Sequence, residues 1–528
     1  GMKAMLAQEK PLFRRLVPLV ALALLTGCAN TAPPPGVLRV ALQDDLKTLD
    51  PAIGYDVPSW SAEHLMYRSL VNYGFDNRIV PDLASSWRVE DGGTRYVFTL
   101  RPHLAFSDGK PLTSTDVVAS LDRLLNPATK SPGASFYTEI VGGADCLAGR
   151  AHHASGLVAN DPHTVSITLA HADPIFLQLL AMPFTAVLPA GTPTVAHAPI
   201  GEGPFKLAEW VPGVRMRFVR NPYASEPNHL RGVTYELGIN ETLEVLKFER
   251  GELDLLGVNR NIPAAEFGLM MEDPKYARRM VHAPDAAINY IGMNCRVAPF
   301  DKPLVREAIA CAIDKKRLVT LVNNRGQVAQ GMVPPPVPGF DPTLAGYPYD
   351  PARARALLAK AGFPHGFSNT YYCVSNDSAV KIAQAIQQDL AQVGINLTIK
   401  ALAFPTFLDA KATAGRVGIS SGNWSQDYPD PSDFLTTMFA SKNIHATDSL
   451  NDTYYSNPQV DHWLDQAGAA ADPAERAKYF RLAEKQIVQD APVVPLYFPV
   501  KYQMASARVQ GFRIHPIWAM ALSGVSVK

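Results

Sequence analysis

The chain has 528 residues, 47% of them hydrophobic, and its 49 basic side chains are matched by 49 acidic ones. That balance argues against a polyanionic partner such as nucleic acid, and the length exceeds one core, so at least two domains are required. Five cysteines with no C-x-x-C spacing and no histidines at zinc-finger distances argue against a thiolate metal centre.

Lys10, Arg14 and Arg15 precede a nearly unbroken apolar run over 16–25, too short to span a bilayer permanently. It closes on Leu25-Thr26-Gly27-Cys28, which resembles a lipoprotein signal and would make Cys28 the lipidated first residue of the mature chain. Pro33, Pro34 and Pro35 then suggest an extended tether over 28–36. Removing residues 1–27 leaves 45 basic and 48 acidic groups, a net charge of −3.

A strand is expected over 37–42, leading into a loop that carries Tyr55 and Asp56. Alternation over 87–89 and 96–101 predicts two half-buried strands, with Asp91-Gly92-Gly93 supplying the positive φ angles of a tight hairpin. Ser107-Asp108-Gly109 makes a second turn. Thr113 and Asp116 form a capping box, and Val117, Val118, Leu121, Leu124 and Leu125 are the apolar stripe of the helix it opens. Residues 200–221 read as turn, strand, Pro-Gly turn and returning strand; 241–255 as a helix ending at Gly251 and a short strand; 289–294 as a strand. A helix follows Asp301, with Val305, Ile309 and Ile313 on one face.

Asp350 and Pro351 open a helix that Gly362 stops. Ile382, Ile386, Leu390 and Val393 stripe another, which ends at Gly394 before a strand over 395–402. A helix over 407–413 leads to a strand over 417–421. The loop after it, Gly422-Asn423-Trp424-Ser425-Gln426-Asp427-Tyr428-Pro429-Asp430-Pro431, concentrates an indole, a phenol and two carboxylates at a strand end, where ligand sites of helix-linked sheets lie. A helix is expected from Ser432, and Asp430 and Asp433 read as its capping residues.

The segment 81–125, with FTLRP, FSDGKPLT and DVVASLDR in order, closely resembles the family 5 extracellular solute-binding proteins, the dipeptide- and oligopeptide-binding components of bacterial ABC importers. Residues 200–221 are similar to that family's GTGP segment, except that Glu202 replaces the usual Thr. The resemblance implies an α/β fold of the two-lobed periplasmic binding protein type, class II with an extra domain, its mixed sheets flanked by helices. Domain I would comprise 37–75, 205–283 and 495–528, domain II 76–204 and domain III 284–494. It further implies a monomeric protein of the periplasm or cell surface, held to the membrane only by its lipid and handing peptides to permease subunits. In peptide-binding members a Trp and an Asp of the matching segment line the cleft, and the Asp pairs with the peptide α-ammonium. Carried over, Asp427 is that carboxylate and Trp424 a pocket wall, with Gly422, Asn423 and Tyr428 beside them and Tyr55 facing them from the other lobe.

Some dipeptide-binding relatives place an Arg before the helix striped by Ile382, but 370–377 has none, which leaves longer peptides or a nickel chelate, haem or oligosaccharide open. Gly418-Ile419-Ser420-Ser421-Gly422 matches the G-x-S-x-G pattern of a secreted serine hydrolase, with His445, His462 and His515 downstream. An elbow requires an immediate strand-turn-helix, whereas this strand runs into a Pro-rich loop, so no catalytic residue is assigned. His152 and His153 lack a third ligand, and neither metal nor cofactor is expected. Cys295, Cys311 and Cys373 lie in apolar patterns typical of buried free thiols, and Cys146 has no evident partner.

Overall fold

The computed structural model describes residues 33–528, so the expected signal segment and Cys28 lie outside the described residues. Residues 36–528 form one compact unit. Three sheets organise it. The first joins Val37–Ala41, parallel to Gly232–Glu236, with Arg215–Arg220 and Phe205–Val211. Its core holds Leu38, Val40, Phe205, Phe218 and Tyr235. The second is the antiparallel set Ala84–Glu90, Arg95–Leu100, Thr164–Thr168 and Leu157–Asp161.

The second sheet shows how local signals build a layer. Asp91, Gly92 and Gly93 take φ of 50°, 66° and 94° between its first two strands, a left-handed run in which the two glycines avoid a Cβ clash. Thr113 and Asp116 close the expected capping box on the helix Ser114–Leu125. That helix buries Val117, Leu121, Leu124 and Leu125 against Phe98 and Ile167 in one cluster.

The third sheet has eight strands, and its spine is the 13-residue strand Val493–Ala505. One stretch of this strand pairs with Leu255–Leu256 and Met280–Pro284, the other with Ala287–Met293 and Gly326–Val328. Beyond Ala287–Met293 come Ile419–Ser425, Phe367–Val374 and Ile395–Leu402, the last three mutually parallel. Because side chains alternate across a sheet, Ile291 and Met293 face one core with Ile309 and Ile386, whereas Ile288 and Tyr290 face another with Phe434 and Phe480. Residues 284 and 495, near which domain crossings are expected, fall inside the hydrogen-bonded strands Met280–Pro284 and Val493–Ala505.

Two expected elements shift. The helix read over 407–413 spans Phe404–Lys411, with Pro405 in its first turn, where a missing N–H costs nothing. The strand read over 417–421 spans Ile419–Ser425, so Gly422, Asn423 and Trp424 lie on a strand rather than in a loop. Cys146 is buried on the short helix Gly143–Leu147. All four described cysteines are free thiols, and no described helix is long and apolar enough to cross a membrane.

Candidate ligand-binding cleft

The strand Ile419–Ser425 pairs along its whole length with Ala287–Met293, but with Phe367–Val374 only at Ile419 and Ser420. From Ser421 onward it has a strand partner on one side. Gly422 sits opposite Tyr290, whose ring lies 2.2 Å from where a Cβ would be, so this position admits only glycine unless the ring moves. Asn423 is exposed and donates to Asn289 Oδ1 at 3.2 Å across the ladder. Trp424, on the opposite face, is half-buried against the Phe434 core. Ser420 is 2% exposed within the strand, and the strand-turn-helix of a nucleophile elbow is not formed. Of the nominal bases, His515 is committed to Tyr73 O at 3.0 Å and to the Ile517 and Trp518 amides.

The turn after the strand is tied down at each step. The Gln426 amide donates to Ala286 O at 2.9 Å. Asp430 caps the helix Pro431–Phe434 by accepting from the Ser432 amide, and it pairs with Arg476 at 2.5 Å with both side chains nearly buried. A helix has one N-cap, and Asp430 fills it. Asp433, expected to share that work, is instead 1% exposed and accepts the Asp427 amide at 2.8 Å. Burial first, then the charge of Asp427, pushes the Asp433 carboxyl up to about 8, against the pull of the Asp427 amide, the Trp424 indole and the Tyr428 amide. The Asp427 carboxylate is open to solvent, yet the surrounding protein raises its pKa too. Neither acid has an ion-pair partner among the described residues.

The facing wall is built on the helix Val57–Met66, which Asp56 caps through the Ser59 amide at 2.9 Å. Trp60 Nε1 donates to Gly54 O at 2.9 Å and fixes the preceding loop. Tyr55, 46% exposed, stacks on Trp60 at 5.9 Å and meets Phe184 edge-on at 5.2 Å. Its hydroxyl is pushed up to about 12 by burial and then by the charges of Asp427 and Asp433, so the two walls share one electrostatic environment. Asn77 Nδ2 bonds Gln426 Oε1 at 3.0 Å and Pro336 O at 3.1 Å, joining the walls directly.

Of the residues singled out in the sequence, the structure thus gathers Tyr55 and Asp427, with Trp424 close behind through its indole. Tyr428 bonds Ser432 Oγ at 3.0 Å and lays its ring against the core around Phe98 and Phe184, bridging the walls by packing. Gly422 and Asn423 are engaged by Tyr290 and Asn289. Trp60 and Asn77 were not singled out in the sequence, and Asp433 was read only as a cap. The one available signal was the spacing of Asp430 and Asp433: two acids three residues apart cannot both be the N-cap.

The model of the family described as bacterial extracellular solute-binding proteins, family 5 Middle, matches residues 78–446. The glutathione-binding protein GsiB of Escherichia coli O6:K15:H31 is 30% identical over 94% of this chain and 95% of its own length. Among solved structures, the periplasmic murein tripeptide binding protein MppA in its unliganded open form superposes with a TM-score of 0.82 at 24% identity, over 94% of this chain and 98% of that one. The periplasmic binding protein DppA from Helicobacter pylori, in complex with the peptide STSA, gives 0.71 at 25% identity over 93% and 98%.

Proposed function

The chain belongs to the family 5 bacterial extracellular solute-binding proteins of ABC importers, and from that premise we propose that it captures short peptides by their α-ammonium group in the cleft between Asp427 and Tyr55. One observation carries this reading: Asp427, and Asp433 whose carboxyl accepts the Asp427 amide, have no ion-pair partner among the described residues. Both pKa values are raised, the signature of a site that an incoming positive charge would relax. The unpaired edge of the strand from Ser421 to Ser425 supports backbone pairing with an extended ligand. The names of the relatives point the same way, to glutathione, a murein tripeptide and the peptide STSA.

In this reading lobes assembled from 37–75, 205–283 and 495–528, with 76–204 packed on them, close on 284–494, and permease subunits receive the ligand from the closed form. Cys28 carries the lipid that keeps the protein at the outer face of its membrane. The cleft is tested by calorimetry with matched free and N-acetylated peptides, after mass spectrometry of the material that co-purifies. Removing one partner of a desolvated charge pair costs about 3 to 5 kcal/mol, hundreds-fold or more in affinity. Asp427→Ala and N-acetylation should each produce that loss. If the acetylated peptide binds as tightly as the free one, the ligand is not held by its amino end.

A further inference from the structure

Away from the cleft, two cavities share a wall. One has a volume of about 350 Å³ and the other of about 20 Å³, and His64, Arg68, Asn72, Asp82 and Trp518 line both. No residue between 284 and 494 lines either, so the segment that carries Asp427 takes no part in them. The smaller ends on Glu63, 1% exposed, and has room for one group of about the size of a water molecule. The larger is bordered by Glu226, whose 28% exposed side chain marks the solvent end.

The charges of this lining do not balance. Three carboxyls, Glu63, Asp82 and Glu226, stand against two guanidinia, Arg68 and Arg101. Arg68 is spent on other groups: its Nη2 pairs with Glu226, and its Nη1 donates to His64 O at 2.6 Å and to Tyr67 O at 2.8 Å. Its Nε stays 3.7 Å from the Asp82 carboxylate, beyond hydrogen-bond range. Arg101 donates to the Asp82 backbone carbonyl, and Arg513, outside the lining, lies over the Phe75 ring at 3.8 Å. His64, stacked on Trp518 at 4.0 Å, and His515 are both held below the ordinary imidazole range by burial, so neither supplies a cation. Neither oxygen of Glu63 meets a donor among the described residues. Burial, then the charges of Asp56 and Asp50, holds the Glu63 carboxyl well above its ordinary range, and burial pushes Asp82 up to about 7 against the pull of Arg68. A buried acid without a donor is costly, and a cation rich in N–H groups relieves it.

We propose that the two cavities together form a second ligand site, which takes a primary alkylammonium with its head in the smaller cavity against Glu63 and its stem in the larger one beside Asp82 and Trp518. The size of the smaller cavity selects a primary over a quaternary ammonium. The bare Glu63 carboxyl selects a charged N–H donor over a neutral alcohol, because a charge-assisted bond is about twice as strong as a neutral one. The incoming head takes the place of the proton that Glu63 holds in the empty protein, and that proton leaves to solvent.

The probe is n-butylammonium chloride, titrated by calorimetry into Asp427→Ala protein so that the cleft carboxylate does not compete for it. It should bind saturably and raise the melting midpoint, whereas 1-butanol and tetramethylammonium should do neither. Glu63→Gln keeps the volume and removes the charge, so it should weaken n-butylammonium about tenfold or more and bring it down to the level of 1-butanol. A merely structural Glu63 would lower the melting midpoint and leave the preference for ammonium over alcohol intact. Should Glu63→Gln not fold, Asp82→Asn reads the same preference from a side chain 17% exposed, and it should also weaken the probe. Binding to wild type that vanishes in Asp427→Ala puts the amine in the cleft and overturns the site. Tetramethylammonium binding as tightly as the probe, or an ammonium preference untouched in the folded Glu63 or Asp82 variants, overturns it equally.

Discussion

If Asp427 anchors an ammonium group as proposed, Asp433 makes ligand capture a proton-releasing event, with a size that follows from its surroundings. In the empty protein its carboxyl titrates near 8, so about nine-tenths of it is protonated at pH 7. An ammonium docked on Asp427 cancels the repulsion that Asp427 exerts and adds an attraction, and an opposite charge at this range moves a carboxyl by about 1 to 3 units. A fall of two units, to about 6, leaves about a tenth protonated at pH 7, so each ligand bound expels about 0.8 proton. By linkage, affinity rises about 25-fold between pH 6 and 8, and about tenfold once deprotonation of the α-amine of the ligand near 8 is counted. Calorimetry in two buffers of different ionisation enthalpy reads the proton number directly, and Asp433→Asn should abolish it. A flat affinity from pH 6 to 8, or a slope that survives in Asp433→Asn, refutes the coupling. The sign for stability is opposite. The native state holds a proton that the unfolded chain has released, so this stabilisation is complete below the ordinary carboxylate pKa and is lost as pH rises through about 8.

Asp430→Asn should preserve the helix cap but strand the Arg476 guanidinium, since the pair is 11% and 9% exposed. Urea denaturation should show a loss of about 3 to 5 kcal/mol, with peptide affinity little changed; a large affinity loss at intact stability would move Asp430 into the cleft. Cys28→Ala should release the protein from the membrane fraction with ligand affinity unchanged, and its retention there after signal cleavage would exclude a lipid anchor.

Where a boundary is set by local chemistry, the sequence contained it. Gly394, at φ 91°, ends one helix and the strand Ile395–Leu402 begins directly after, as the pattern required. Asp350 caps Pro351–Lys360 through the Arg353 amide for the same reason. Where pairing partners decide, the sequence was silent. Gly422, Asn423 and Ser425 have poor strand propensity, yet they extend the strand because Ala287–Met293 supplies a ladder from 287 to 293. Pro495 and Pro499 look like breakers inside Val493–Ala505, but Pro495 falls at the irregular register beside Tyr290, and the Pro499 carbonyl still accepts the Asp285 amide at 2.7 Å.

The cleft divides along the same line. Asp427 and Trp424 were singled out because a family resemblance attaches a role to their segment, and Tyr55 because its loop follows a strand; the structure brings Tyr55 and Asp427 into one electrostatic environment. The role of Asp433 as a second carboxyl was not legible, since nothing in the order Asp427, Asp430, Asp433 says which acid pairs with Arg476 and which accepts the Asp427 amide. That distribution is itself informative. Arg476 pairs with Asp430, where the cap already favours the anion. Asp433 is left buried at a raised pKa beside an exposed Asp427, its carboxyl met by amide and indole donors rather than by a cation. Among the described residues neither acid has a cation beside it, and on the proposed reading of Asp427 as ammonium anchor the ligand supplies that charge within reach of Tyr55, Asp427 and Asp433.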